Sequence, residues 1–272
     1  MPFRVVLRPS FRSLITDSGR PVAGMFLCSG DAGAAEICAG SGLDYLIIDA
    51  EHGPLGLEAI LAQLRAVAGY PTAAVVRVPA NDPVIIKQVL DLGAQSLIVP
   101  MVDTAVAAAD AVSAVRYAPR GIRGVGASLA RSARWNRIPD YLNQAEDLLT
   151  LLVQIESAEA VQNAAQIAAV DGVDGVFIGP ADLAASMGHL GRQDHPAVVD
   201  AVFRTVQTVK AAGKIVGVNA FVEEQARKYI EAGADFVNVG ADVALLARGS
   251  EALAARYGLP PAGKPVAASA SY

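Results

Sequence analysis

The stretch that decides the fold spans residues 149–183 and reads LTLLVQIESAEAVQNAAQIAAVDGVDGVFIGPADL. Two short apolar runs, residues 149–156 and 175–179, flank an alanine-rich helical pattern at residues 158–168. Within the two runs, apolar residues follow one another instead of alternating with polar ones, which is typical of strands covered on both faces. The stretch therefore predicts two parallel strands joined by a helix.

The same unit recurs along the chain. Further apolar runs occupy residues 22–27, 45–49, 73–78, 96–100, 215–220 and 236–240, with helical patterns between them, for example at 56–67 and 83–92. Eight such units in 272 residues match one barrel of about 250 residues. We predict the α/β class and a single (β/α)8 (TIM) barrel domain over residues 1–258. The tail at 259–272 is rich in Pro, Ala and Ser, and we expect it to be extended or disordered.

Composition excludes several classes of partner. The net charge is −5 and no basic run occurs, so neither nucleic acid nor an anionic membrane surface is expected as a partner. No apolar run approaches the roughly 20 residues of a membrane span. Arg and Pro interrupt the N-terminal apolar stretch, unlike a signal peptide. With two cysteines, Cys28 and Cys38, read as reduced thiols, we expect a cytoplasmic protein.

Polar residues collect where the predicted strands end, which is the catalytic face of such a barrel. These residues are Asp49, Glu51, His52, Arg77, Gln154, Glu156, Asp182 and Asn219. Polar groups are costly in apolar strands unless something satisfies them. Their collection at one end of the barrel is the main evidence in the sequence for a functional site.

Glu156 and Asp182 are the candidate metal ligands. They follow adjacent strands, and a site of two carboxylates completed by water and substrate oxygens suits Mg²⁺ or Mn²⁺, and also Co²⁺. Each carboxylate has an alternative role as a helix cap or an arginine partner. The turn around Ala181 offers backbone N–H groups to an anion such as a substrate carboxylate.

His52 and Arg77 are the candidate catalytic side chains. Asp49, three residues before His52, is expected to fix its tautomer and raise its basicity, while Glu51 is expected to be structural. Arg77 requires an anionic partner, either a developing enolate oxygen or a protein carboxylate in a structural ion pair. The lysines fall on helices, before the seventh strand or in the tail, which disfavours a lysine–imine mechanism.

Several motifs resemble those of one known family. They are IIDAEHGP (47–54), VVRVPANDP (75–83), IKQVLDLGAQSLIVPMV (86–102), YAPRGIRGVG (117–126), RSARWNRIPDYL (131–142), VQIE (153–156) and GVDGVFIGPADLAASMG (172–188). From about residue 24 to residue 257, the chain is similar to the class II (metal-dependent) pyruvate aldolases of the 4-hydroxy-2-oxoheptanedioate aldolase type.

The resemblance implies roles for individual residues. A divalent metal would lie on Glu156 and Asp182, chelated by the carboxylate and keto oxygens of pyruvate. Arg77 would contact the enolate oxygen, and Gln154 would line the site. Backbone N–H groups at Ala181 and Asp182 would receive the pyruvate carboxylate. His52, oriented by Asp49, would act as the base.

The resemblance also implies an assembly. Members form homohexamers, trimers of dimers that exchange the last helix, here about residues 241–256. Asp91 matches a position that reaches the active site of an adjacent subunit. One departure concerns Asn219, which stands where the family pattern has a bulky aliphatic residue facing the aldehyde half of the substrate.

The sequence thus predicts reversible cleavage of a 4-hydroxy-2-oxo acid into pyruvate and an aldehyde, with a place in aromatic catabolism. The alternatives are an aldolase for 2-keto-3-deoxy sugar acids, a carbon–carbon lyase acting on acyl-CoA thioesters, and a non-catalytic barrel that binds a metabolite.

Overall fold

A computed structural model describes residues 4–258, so the predicted tail at 259–272 lies outside the described residues. Eight parallel strands form a closed barrel in chain order. The strands are β1 Val22–Leu27, β2 Tyr45–Asp49, β3 Ala73–Arg77, β4 Ser96–Val99, β5 Thr150–Ile155, β6 Gly175–Ile178, β7 Ile215–Asn219 and β8 Phe236–Ala241. The predicted (β/α)8 barrel is confirmed. Two of the predicted strands have the observed bounds, and each of the others differs by one residue at one or both ends.

Helices follow the strands and cover the barrel. They are α1 Phe11–Ser18, α2 Ala32–Ala39, α3 Leu57–Val67, α4 Pro83–Asp91, α5 Ala105–Val115, α6 Tyr141–Gln144, α7 Ala158–Gln162, α8 Ala164–Ala168, α9 Pro180–Ser186, α10 Pro196–Ala211, α11 Glu223–Glu231 and α12 Asp242–Arg256. The predicted helix at 158–168 is two helices, because Asn163 leaves helical geometry and its side chain donates to the Asp103 carbonyl, 2.8 Å away. No helix among residues 4–258 is long and apolar enough to span a membrane.

Strand alternation divides the buried apolar side chains into two main groups. One group fills the space between the strands and the surrounding helices. The other fills the barrel interior and includes Tyr45, Phe177 and Phe236. The sequence did not predict α1, which places Phe11 against this interior group, with ring centroids 4.9 Å from Tyr45 and 5.2 Å from Phe236. The backbone N–H groups of Phe11 and Arg12 also donate hydrogen bonds to the side-chain hydroxyls of the first residues of β4 and β5. Helix α1 therefore closes the amino-terminal end of the barrel.

The same alternation carries polar residues to the opposite end of the interior. Asp49 lies two positions beyond Ile47 on β2, and Arg77 lies two positions beyond Val75 on β3. Gln154 and Asn219 occupy corresponding positions on β5 and β7. The carboxyl ends of the strands therefore present polar side chains above an apolar interior.

Residues 116–147 form the longest interruption. A small core of its own, including Ala133, Ile138 and Tyr141, packs this segment. His189 and His195, between α9 and α10, stack with ring centroids 3.6 Å apart. His195 Nδ1 also accepts from the Ala197 N–H at the start of α10, because this helix leaves its first N–H groups without intrahelical acceptors.

Candidate active site

Arg77 at the end of β3 is held by Asp49 at the end of β2. Its Nε and Nη2 donate to the two carboxylate oxygens of Asp49, each over 2.8 Å, and its guanidinium lies 4.6 Å from the centroid of the Phe26 ring. Burial opposes the charge of Arg77, but the hydrogen bonds to Asp49 and the charges of Asp49, Glu51 and Glu156 together outweigh burial, so the pKa of Arg77 is raised. Burial also opposes ionisation of Asp49, yet Arg77 keeps the pKa of that carboxyl lowered. A bidentate pair of this kind is ionised and fixed in orientation.

The structure corrects the roles expected of Asp49 and Glu51. Asp49 is engaged by Arg77, and the carboxylate oxygen facing the His52 imidazole is Oε2 of Glu51, 3.9 Å from Nε2. The same Glu51 oxygen lies 2.8 Å from Arg77 Nη1. The chain turns directly after Asp49, whose carboxylate accepts from the Glu51 N–H, so the alternation of an extended strand no longer applies. Glu51 therefore belongs to the site and is not merely structural.

The ionisation of Glu51 is opposed by its surroundings. Burial raises the pKa of Glu51, Arg77 acts against this, and the charges of Asp49 and Asp182 add to it. The His52 side chain is more than half exposed at the mouth of the site. An imidazole in this position can exchange protons with solvent and still reach a substrate in the cleft.

Glu156, directly after β5, is buried and carries two hydrogen bonds. Its Oε1 accepts from the Met101 N–H over 2.8 Å, and its Oε2 accepts from Gln154 Nε2. Burial raises the pKa of Glu156 to about 7, with further contributions from Glu51 and Asp182, although the two hydrogen bonds act against the shift. Gln154 also accepts from Arg77 Nη1 over 3.5 Å, so one amide links the cation to the carboxylate.

Gly179, between β6 and α9, leaves the space that Glu156 occupies. A Cβ at this position would lie 2.8 Å from Glu156 Oε2 and 3.2 Å from Gln154 Nε2. Asp182 follows in the first turn of α9, and it lines the same cleft as Ala181, His52 and Arg77. His52, Arg77, Gln154, Ala181, Asp182 and Asn219 thus line one cleft, and Asp49 and Glu156 are hydrogen-bonded to its lining residues Arg77 and Gln154.

The donor set fits a hard divalent cation. Among residues 4–258, no group of three or more His, Cys, Asp or Glu side chains is arranged to hold a metal. Two carboxylates remain, and the ionisation of Glu156 is held back partly by the charge of Asp182. A cation held by these carboxylates would relieve that repulsion, and water and substrate oxygens would supply its remaining ligands.

Asn219 lines the cleft from β7 and is paired with Asn238 on β8. The strand register places the two residues side by side, and Asn238 Nδ2 donates to Asn219 Oδ1 over 3.0 Å. Asn238 is fully buried. This amide pair joins β7 to β8 beside the cleft.

Asp91 lies apart from the other predicted site residues. It ends α4, and its Oδ1 lies 3.5 Å from Nη2 of the buried Arg123. The contribution of Asp91 to an adjacent subunit stays a prediction.

Three residues at the site escaped the sequence analysis. Cys28 Sγ lies 3.6 Å from Asp49 Oδ2, and burial raises the pKa of this thiol to about 12. Met101 adopts a left-handed φ of 52° that aims its N–H at Glu156, and nothing in the sequence marks that conformation. Asn238 could have been identified from the sequence, because it is a polar residue inside an apolar strand run.

Comparison with known proteins places the chain in a family. The family model described as HpcH/HpaI aldolase/citrate lyase matches residues 22–249. The chain belongs to this family. A 4-hydroxy-2-oxo-heptane-1,7-dioate aldolase of Salmonella arizonae is 55% identical over 89% of the chain and 92% of the relative.

Solved structures of the HpcH/HpaI family share the fold. A family protein from Burkholderia cenocepacia has a TM-score of 0.86 and 40% identity, covering 91% of this chain and 98% of its own. The HpcH/HpaI aldolase from Desulfitobacterium hafniense has a TM-score of 0.83 and 27% identity, covering 92% and 97%. The protein is a carbon–carbon lyase of the aldolase type, and its family implies a divalent metal.

Proposed function

We propose that this HpcH/HpaI aldolase catalyses the reversible retro-aldol cleavage of 4-hydroxy-2-oxo acids to pyruvate and an aldehyde. The observation that supports this most directly is the fixed Arg77 cation in the cleft, linked through Gln154 to the buried Glu156. A site for enolate chemistry needs a preorganised cation beside carboxylates that can hold a metal. We assign Glu156 and Asp182 as ligands of Mg²⁺, Mn²⁺ or Co²⁺. When bound, the metal supplies a Lewis acid for the 2-oxo group.

Arg77 stabilises the charge that develops on the enolate oxygen. Asp49 occupies Nε and Nη2 and so fixes the guanidinium plane, while Nη1 lies 3.5 Å from Gln154 Oε1 and 2.8 Å from Glu51 Oε2. Donors that are oriented before the reaction do not have to reorganise as charge develops. The structural ion pair weighed for Arg77 is therefore compatible with its catalytic role.

His52 Nε2 accepts the proton of the C4 hydroxyl in the cleavage direction. The C3–C4 bond then breaks, its electron pair passes into the pyruvate enolate, and the C4 oxygen becomes the aldehyde carbonyl. The His52 imidazolium returns its proton to C3 of the enolate, which completes pyruvate and restores the neutral base. Glu51, 3.9 Å from Nε2, stabilises the imidazolium formed in the first step.

The pyruvate carboxylate is assigned to the start of α9. The backbone N–H groups of Ala181 and Asp182 belong to the first helical turn, where no intrahelical acceptor exists. Both residues line the cleft that contains Arg77. This places the carboxylate and the 2-oxo group on the same side of the site.

Metal removal tests the proposal. Dialysis against EDTA is expected to abolish pyruvate release from 4-hydroxy-2-oxo acids, and adding Mg²⁺, Mn²⁺ or Co²⁺ is expected to restore it. His52→Ala is expected to lower kcat by about 100-fold or more while metal binding is retained. Full activity after a verified loss of metal, or near-normal turnover of His52→Ala, would contradict the mechanism.

We also propose the homohexamer, a trimer of dimers that exchange α12. Its support is the apolar surface of this helix, where Leu245 and Leu246 are 62% and 74% exposed. An assembly covering α12 is consistent with a site to which Asp91 of a neighbouring subunit contributes.

A further inference from the structure

We propose that Asn219 and Asn238 form an acceptor subsite that selects aldehydes bearing a hydroxyl group beside the carbonyl. The aldehyde half of the substrate would then be neutral and hydroxylated, without a carboxylate at its far end. This inference rests on the proposed function, because it assigns the second product of the same cleavage.

The orientation of the two amides follows from their surroundings. Asn238 Nδ2 lies 3.4 Å from the Gly240 carbonyl oxygen as well as 3.0 Å from Asn219 Oδ1. A flipped Asn238 would turn Oδ1 toward that carbonyl, and two acceptors would repel each other. Asn238 therefore directs its NH₂ group toward Asn219, and Asn219 accepts this hydrogen bond through its side-chain oxygen.

Because Asn238 occupies the side-chain oxygen of Asn219, the Nδ2 group of Asn219 is available to a ligand in the cleft. Asn219 lines the cleft together with Arg77, Phe177 and Asp182. Within residues 4–258, its Oδ1 accepts from Asn238, whereas Nδ2 has no protein acceptor. Two N–H donors thus face the space beside the reacting centre, and a hydroxyl oxygen of the aldehyde matches them.

The charges around Asn219 disfavour a carboxylate in this subsite. Asn219 also borders an adjoining cavity, whose lining includes Asp194 and Tyr229. In the described part of the chain, Arg77 is the only Lys or Arg that lines either cavity, and it is engaged by Asp49 and Glu51. A carboxylate would meet amide donors and an acidic neighbour without a free cation.

A structural role alone does not account for Asn238. Its Oδ1 is buried without a hydrogen-bond partner among the described residues. Buried polar atoms without partners are costly, and an apolar side chain would avoid that cost. Asn238 is thus a positioning residue, which orients Asn219.

Aldol addition to pyruvate tests the proposal with the full-length, metal-loaded enzyme. The probes are glycolaldehyde, propanal, which has the same number of heavy atoms but no hydroxyl, and succinic semialdehyde. We expect kcat/KM for glycolaldehyde to exceed both others by about 10-fold or more. Asn219→Leu is expected to lower the glycolaldehyde-to-propanal ratio to near 1. Asn238→Ala is expected to lower it several-fold, mainly through KM, because Asn219 is then free to turn.

A matched control makes the same change elsewhere. Asn143 lies exposed on α6, so Asn143→Leu should keep the wild-type ratio. Equal wild-type rates with glycolaldehyde and propanal, or a preference for succinic semialdehyde, would overturn the inference even if neither variant folds. Solvent deuterium exchange at pyruvate C3, measured without aldehyde, keeps the two proposals apart. Its absence in the wild type would count against the proposed function, whereas exchange without hydroxyl selectivity would count against the Asn pair alone.

Discussion

Glu156 makes the metal-free enzyme less stable as pH rises. Its pKa is raised from its ordinary 4.5 to about 7 by burial, so the folded state binds this proton more tightly than the unfolded state. The resulting stabilisation is complete below about pH 4.5 and is lost as pH rises to about 7. The difference corresponds to about 3 kcal/mol.

Glu156→Gln is therefore expected to stabilise the metal-free protein by up to about 3 kcal/mol at pH 8, with little effect at pH 4.5. Thermal denaturation at both pH values measures the difference. With saturating Mg²⁺ at pH 8, the order should reverse, because only the wild type gains stability from the metal. A variant that binds Mg²⁺ as the wild type does would contradict the assignment of Glu156.

The candidate site could be located from the sequence, but its connections could not. Asp49, Arg77 and Gln154 were placed because each lies at the end of an apolar run. Glu51 was misjudged because the chain turns after Asp49, and a turn cancels the alternation on which the prediction rested. The partner of a charged side chain depends on that turn geometry, which one sequence does not specify.

At the scale of single elements, α1 contributes its stability through Phe11. This side chain is buried in an aromatic cluster with Tyr45 and Phe236 at the amino-terminal end of the barrel. Phe11→Ala is expected to destabilise the protein by about 3–5 kcal/mol, as for other buried phenylalanines. Urea denaturation measures the loss.

A control on the same helix separates packing from helix propensity. Thr16 is exposed, so Thr16→Ala should change the free energy of unfolding by less than about 0.5 kcal/mol. A similar loss from both substitutions would mean that Phe11 does not close the barrel. The sequence carried signals for α1, since Ser10 caps its start and Gly19 ends it with a φ of 65°.

At the scale of the whole molecule, the apolar surface of α12 bears on assembly. The double substitution Leu245→Glu and Leu246→Glu places two charges on this helix, and we expect it to convert the proposed hexamer into smaller species. Light scattering coupled to gel filtration measures the mass. Leu190, 81% exposed between α9 and α10, offers a matched control, and Leu190→Glu should preserve the wild-type mass. An unchanged mass of the double variant would count against exchange of α12.

The barrel itself was predictable because the same strand signal, a short apolar run, recurs eight times along the chain. Runs such as 45–49 and 215–220 each carry the same apolar signal, and closure of eight parallel strands follows from their number and spacing. The assembly is harder to predict from the sequence, because the sequence does not distinguish an exposed leucine on α12 from a leucine that a helix buries in the core.

The pairing of Asn219 with Asn238 also constrains how this enzyme can evolve. Replacing Asn219 alone strands the buried Asn238 without its partner, whereas replacing both with apolar residues removes the conflict. The two positions are therefore expected to show epistasis, with a change at Asn219 tolerated better once Asn238 has changed. Natural drift toward apolar acceptors that began at Asn219 would cross a less stable intermediate, and a library that varies both codons together would reach variants that single-site scanning misses.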